Sequence, residues 1–172
     1  APSFGLNTDT GSSNSDGITS DATVDVTLAS DVASWEYSLD GGSSWSAGSG
    51  TSFELTDNTT FASGDIEVRQ TDTAGNLSAA TSNASAIEVN SSTAAPSFGL
   101  NTDTGSSNSD GITSDATVDV TLASDVASWE YSLDGGSSWN TGSGTSFELT
   151  DNTTFASGDI EVRQTDTAGN LS

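Results

Sequence analysis

The chain has 172 residues, with 25 Asp and Glu against two Arg and no Lys, for a formal net charge of -23, and it contains neither Cys nor His. That composition excludes disulfides and thiolate metal sites, removes the usual zinc ligand and neutral-pH general base, and opposes binding to nucleic acid or anionic lipid. No apolar run is long enough to cross a membrane, and no leader pattern is visible, as an internal fragment would also lack one.

Low hydrophobicity with high net charge also marks disordered chains, but the apolar residues here follow period two. Taken in chain order, Phe4 and Leu6 alternate over 3–6, and Val24, Val26 and Leu28 over 22–28. Trp35, Tyr37 and Leu39 alternate over 33–39, a short strand follows at 43–46, and Phe53 and Leu55 mark 52–55. Ile66 and Val68 mark 65–71, and Ile87 and Val89 close the set over 84–89. Such alternation reads as strands with one buried and one wet face. Asp40-Gly41-Gly42 reads as a hairpin turn, since Asp and Gly tolerate positive φ. The pieces 58–64 and 74–76 read as further turns, and no stretch has capped helical spacing. About seven strands in some ninety residues predict an all-β, two-sheet sandwich. Trp35 is expected at its centre.

The segment beginning at Ala1 recurs at Ala95. Over 78 shared positions only two differ, Ser46 against Asn140 and Ala47 against Thr141. The reading is a tandem of whole domains, residues 1–94 and residues 95–172, the second without a counterpart of the last strand. The array is expected to continue in a longer parent protein. Duplication of this kind suits a spacer and gives no advantage to a catalyst, so no enzyme is expected. The connector 90–95 is short and polar, and is expected to swivel unless something holds it.

Two loops are chemically distinctive. The first, Asn7 to Asp21, is rich in oxygen and carries Asp9, Asp16 and Asp21, with Asp103, Asp110 and Asp115 as their counterparts. Calcium takes six to eight oxygens in flexible geometry, including backbone carbonyls, and such a loop suits it better than magnesium. The spacing is not that of an EF-hand, and the same composition also suits a solvated acidic loop. The second loop, Gln70 to Ser78, brackets Gly75 between Asp72 and Asn76. It reads either as an Asx-turn or as a ligand site at one pole of the module. In a seven-strand Greek-key sandwich the first loop of one module is expected to face the pole of the next that carries Asp125 and Asp166. Calcium would then clamp an otherwise repulsive junction.

The string "DTGSSNSDGITSD", followed one module-length later by "TDTAGNLS", resembles the bacterial immunoglobulin-like repeats of giant RTX and biofilm-associated adhesins exported by type I secretion. The resemblance covers both repeats. It implies tandem immunoglobulin-like Greek-key β-sandwiches, rigid with Ca2+ bound, on the bacterial cell surface, partnered by neighbouring repeats and carrying a separate adhesive region outward. It marks Asp9, Asp16, Asp103 and Asp110, with Asp72 and Asp166, as calcium ligands. The alternative keeps the fold and gives it a lateral binding face for glycan or protein around Trp45 and Trp139.

Overall fold

The computed structural model describes residues 1–172. The chain is all-β and contains no helix. It divides into two compact units, Ala1–Ser91 and Ser92–Ser172. The division falls three residues before the repeat boundary expected at 94/95. Gln164 explains why: its amide donates to Thr93 Oγ1 (3.2 Å) and to the Ala94 carbonyl (2.9 Å). Two residues of the expected free connector are therefore tied to the second unit.

The first unit contains β1 (Ser3–Leu6), β2 (Ile18–Thr19), β3 (Thr23–Thr27), β4 (Val32–Ser38) and β5 (Ser46–Ala47). It continues with β6 (Ser52–Glu54), β7 (Thr59–Phe61), β8 (Glu67–Asp72), β9 (Thr81–Ser82) and β10 (Ile87–Val89). Three sheets result, with orders β1-β3-β6, β2-β10-β7 and β5-β4-β8-β9. All pairings are antiparallel except β2 with β10, which is parallel.

Alternation fixes the buried face. Val24 and Val26 of β3 point inward while Asp25 between them is exposed. Trp35 of β4 and Phe53 of β6 lie 6.2 Å apart between ring centroids, and Tyr37 stacks on Phe53 at 4.4 Å. Rings from two different sheets thus meet in one core, which also takes Phe61 of β7, Val68 of β8 and Val89 of β10. Burial of each such side chain contributes roughly 1.5–3 kcal/mol. Trp35 is 5% exposed, and its Nε1 donates to the Gly50 carbonyl (3.0 Å). Gly48 lies flat against the indole: a Cβ there would sit 2.2 Å from ring atoms.

The second unit contains β11 (Ser97–Leu100), β12 (Thr117–Thr121), β13 (Val126–Ser132), β14 (Asn140–Thr141), β15 (Ser146–Glu148) and β16 (Glu161–Asp166). They form two sheets, β11-β12-β15 and β14-β13-β16. Trp129 is buried like Trp35. The three-stranded sheet of β2, β10 and β7 has no counterpart.

Several expected boundaries shift. The strand placed at 43–46 is the two-residue β5, because Asp40 organises a longer loop before it. The strand placed at 84–89 is the shorter β10, and a further strand, β9, lies before it, outside the expected range, with residues 83–86 between them. Ile18–Thr19 lies in the segment read as loop, and Thr59–Phe61 in the segment read as turn. Both are strands because β10 lies between them.

Candidate functional site

The first loop folds back on itself through its own side chains. Thr19 is its buried centre: the hydroxyl donates to the Thr8 carbonyl (2.8 Å), accepts from Asp21 N (3.0 Å) and lies 3.3 Å from Thr10 Oγ1. Thr10 Oγ1 also accepts from Ser20 N at 2.7 Å. The second unit repeats the arrangement around Thr113 and Thr104. Loop conformation is thus specified within the loop.

The acids have separate tasks. Asp16 Oδ1 accepts from Ile18 N (3.1 Å) and Asp21 Oδ1 from Thr23 N (3.0 Å), both two residues onward. Asp110 and Asp115 do the same with Ile112 N and Thr117 N. The Thr23 backbone and hydroxyl hold the Asp21 carboxyl below its ordinary range, and Thr117 does likewise for Asp115. Asp9 spans the loop, with Oδ2 accepting from Gly17 N (3.0 Å), and Asp103 accepts from Gly111 N (2.9 Å). The other oxygen of each, Asp9 Oδ1 and Asp103 Oδ1, is buried with no hydrogen-bond partner. These are the only buried side-chain polar atoms in the chain left so.

No three acidic side chains converge on one point. A cation at Asp9 would take its remaining oxygens from loop carbonyls and hydroxyls, a donor set calcium accepts.

Asp72 closes the turn before Leu77. Its Oδ1 accepts from Ala74 N (2.9 Å) and Asn76 N (2.8 Å), and its Oδ2 from the Asn76 amide (2.9 Å). These donors, the Asn76 side chain foremost, lower its pKa. Asp166 binds Asn170 N and the Asn170 amide at 2.8 Å each. The Asx-turn reading accounts for these contacts. Asp125 precedes β13, and its carbonyl accepts from Thr167 N (2.9 Å); Asp31 and Thr73 form the same bond in the first unit.

Trp45 is half-buried. The Arg69 guanidinium lies 3.7 Å from its ring centroid, and Arg69 also pairs with Glu36 at 2.9 Å. Arg163 covers Trp139 at 3.9 Å in the same manner. One face of each indole is therefore occupied by a cation–π contact.

Two organising residues escape a reading based on strands and acids. Asp40 accepts from Ser44 N (2.8 Å), Ser44 Oγ (2.6 Å) and Ser38 Oγ (2.7 Å), which lowers its pKa to about 2, the Ser44 hydroxyl contributing most. Asn83 is buried. Its Oδ1 accepts from Gly64 N and Ile66 N (3.0 Å each), and its Nδ2 donates to the Ala62 and Ser85 carbonyls (2.8 Å each).

No protein-family model matches this chain, and no curated protein matches it.

Proposed function

We propose that the chain is a calcium-stabilised structural spacer of a bacterial cell-surface adhesin, built of immunoglobulin-like Greek-key sandwiches, with Ca2+ bound at the Asn7–Asp21 loop and at its counterpart. The observation that carries this reading is the buried, unpartnered Oδ1 of Asp9 and of Asp103. A buried carboxylate oxygen without a donor costs about 1–3 kcal/mol or more, and a bound cation removes that cost. The same atom is left open in both units, although only one has a strand β10 beside the loop. The opening thus belongs to the loop itself. Near-identity of the two units favours a part that is useful by repetition. A net charge of -23 adds self-repulsion that a divalent ion relieves.

The test is thermal unfolding in calcium, in magnesium and in sodium chloride at matched ionic strength, with a chelator control. Binding selective for the folded state raises the melting temperature by linkage. Calcium is expected to stabilise both units, and Asp9→Asn and Asp103→Asn are expected each to abolish the response of their own unit alone. Equal shifts in calcium and in matched sodium chloride would mean screening without a site and would end this reading.

A further inference from the structure

The dipeptide Asp-Gly occurs four times, as Asp16-Gly17, Asp40-Gly41, Asp110-Gly111 and Asp134-Gly135. In this dipeptide a side-chain carboxyl and the next backbone nitrogen meet with least hindrance, because glycine brings no Cβ into their path. We propose that Asp16 and Asp110, and not Asp40 and Asp134, are sites of spontaneous covalent modification, in which each aspartate closes on the following amide and reopens as isoaspartate. This inference does not rest on the calcium reading.

The reaction is an acyl transfer within the chain, with water as the only co-reactant. The Gly17 nitrogen bonds to Asp16 Cγ, the bond from Cγ to one carboxyl oxygen breaks, and a water leaves with the amide proton. The product is a cyclic imide. Water then adds to one of its two carbonyls. Addition at Cγ restores aspartate, and addition at the main-chain carbonyl leaves the chain running through Cγ as isoaspartate. Nothing is oxidised or reduced, and the final composition is that of the starting chain.

All four aspartates are exposed, so access to water does not separate them. Hydrogen bonding does. Asp40 has both reacting groups tied down. Its carboxyl accepts from Ser44 N, Ser44 Oγ and Ser38 Oγ, while Gly41 N donates away from it to the Asp65 carbonyl (2.9 Å). Asp134 repeats this with Ser138 and Ser132, and Gly135 N donates to the Asp159 carbonyl (2.9 Å). These donors keep both carboxyls ionised, with pKa values of about 2, and a carboxylate is a poor acyl donor. At Asp16 the one hydrogen bond to the carboxyl comes from Ile18 N (3.1 Å), two residues onward. That bond folds the carboxyl back over the peptide joining Asp16 to Gly17, the side from which the nitrogen must reach Cγ. Asp110 and Ile112 N match it. The single restraint on the nucleophile is Asp9, whose Oδ2 accepts from Gly17 N (3.0 Å), and Asp103 holds Gly111 N at 2.9 Å. Asp9 and Asp103 thus act as positioning residues that slow the closure.

In the first unit the conversion has a structural cost. The Gly17 carbonyl accepts from Glu88 N (2.8 Å), and a Cβ on Gly17 would lie 2.7 Å from the Ala86 carbonyl oxygen. The backbones of the loop and of β10 therefore fit closely here. Isoaspartate at position 16 inserts a methylene into the main chain one residue earlier, which displaces that carbonyl and weakens the pairing of β2 with β10.

The experiment incubates the intact chain at neutral pH in chelator, below its melting temperature, and a second sample in denaturant. Acid-protease digestion and mass spectrometry then locate imide, lighter by one water, and isoaspartate. In the folded chain, conversion at 16 and 110 is expected to exceed that at 40 and 134 by at least about tenfold, the worth of one hydrogen bond to a charged group. In denaturant the four sites are expected to converge. Asp9→Ala is expected to raise conversion severalfold at 16 and to leave 110 unchanged. Asp9→Asn retains an oxygen that can accept from Gly17 N, and is expected to restore the parent rate. Amide exchange at Glu88 is expected to speed up in chains carrying isoaspartate at 16. Equal conversion at all four sites of the folded chain, or more at 40 and 134, would overturn the proposal. So would the same preference persisting in denaturant, or an unchanged rate at 16 in Asp9→Ala.

Discussion

Thr59-Thr60-Phe61 and Thr153-Thr154-Phe155 are the same tripeptide between the same neighbours, yet the first is strand β7 and the second is not a strand. Ile18-Thr19 and Ile112-Thr113 differ in the same way. By contrast, the strands around the two tryptophans barely notice the difference. Phe4 opposes Val26 as Phe98 opposes Val120, and the tryptophan–tyrosine distance is 6.1 Å in both units. The module therefore has a self-sufficient part, β1, β3, β4, β6 and β8, and a conditional part whose strand state is decided by residues 79–90. Strand propensity is context-dependent because a strand is stable only beside a partner.

The largest expected effect is on stability. Leu55, Phe61, Ile66 and Val68 are buried in the first unit, while Leu149, Phe155, Ile160 and Val162 are only half-buried, and Val89 has no counterpart. Partial loss of several side-chain burials amounts to about 5 kcal/mol. Scanning calorimetry of the intact chain is expected to show two transitions, the lower from the second unit. A single transition, with equal hydrogen-exchange protection at Val68 and Val162, would erase the distinction between the units.

Next comes Asn83→Ala, which removes four hydrogen bonds at a buried site. It is expected to lower the upper transition by about 3 kcal/mol and to leave the lower one in place. If it moves both, the conditional part is not confined to its own unit.

A smaller effect separates strain from packing. Gly17 and Gly111 have φ of 78° and 74°, so alanine costs each about 1–2 kcal/mol of left-handed strain. Only Gly17 has a backbone oxygen in the way. Gly17→Ala is expected to destabilise its unit more than Gly111→Ala does, in denaturant titrations that resolve both transitions. Equal losses would mean that β10 yields without cost.

The smallest effect should be the same in both halves. Asp40 and Asp134 have folded-state pKa values of about 2, their Ser44 and Ser138 hydroxyls lowering them most. A depressed folded pKa stabilises above the unfolded value near 3.8, and that contribution fades as pH falls toward 2. Asp40→Asn is expected to lower the first transition at pH 7 and to flatten its decline between pH 4 and 2, and Asp134→Asn is expected to do the same to the second. Unequal shifts would tie this turn to the conditional part.

The self-sufficient strands were legible because burial on one face imposes alternation, as Val24-Asp25-Val26 and Trp35-Glu36-Tyr37 display. The two-residue strands were not, since Ile18-Thr19 and Thr81-Ser82 are too short to alternate and owe their state to a distant partner. In the acidic loop, composition marked Asp9 together with Asp16 and Asp21. It did not tell that Asp16 and Asp21 turn back to cap Ile18 N and Thr23 N while Asp9 keeps a buried oxygen without a partner. That division depends on backbone direction, which a count of acids does not carry.

The closing segment, β9 and β10, comes last in the first repeat, and this orders events in time. A chain elongating from its N-terminus at about 5–20 residues per second exposes 78 residues of a module before Ala79 to Asn90 follow. During that interval of order one second the nascent module lacks β9 and β10. Tandem modules that differ at only two of 78 positions offer nearly identical grooves to any closing strand, whichever repeat it comes from. Cross-pairing between neighbours is the characteristic misfolding route of repeat proteins. Here its safeguard is proximity, because the correct strand is joined to its own groove and reaches it first.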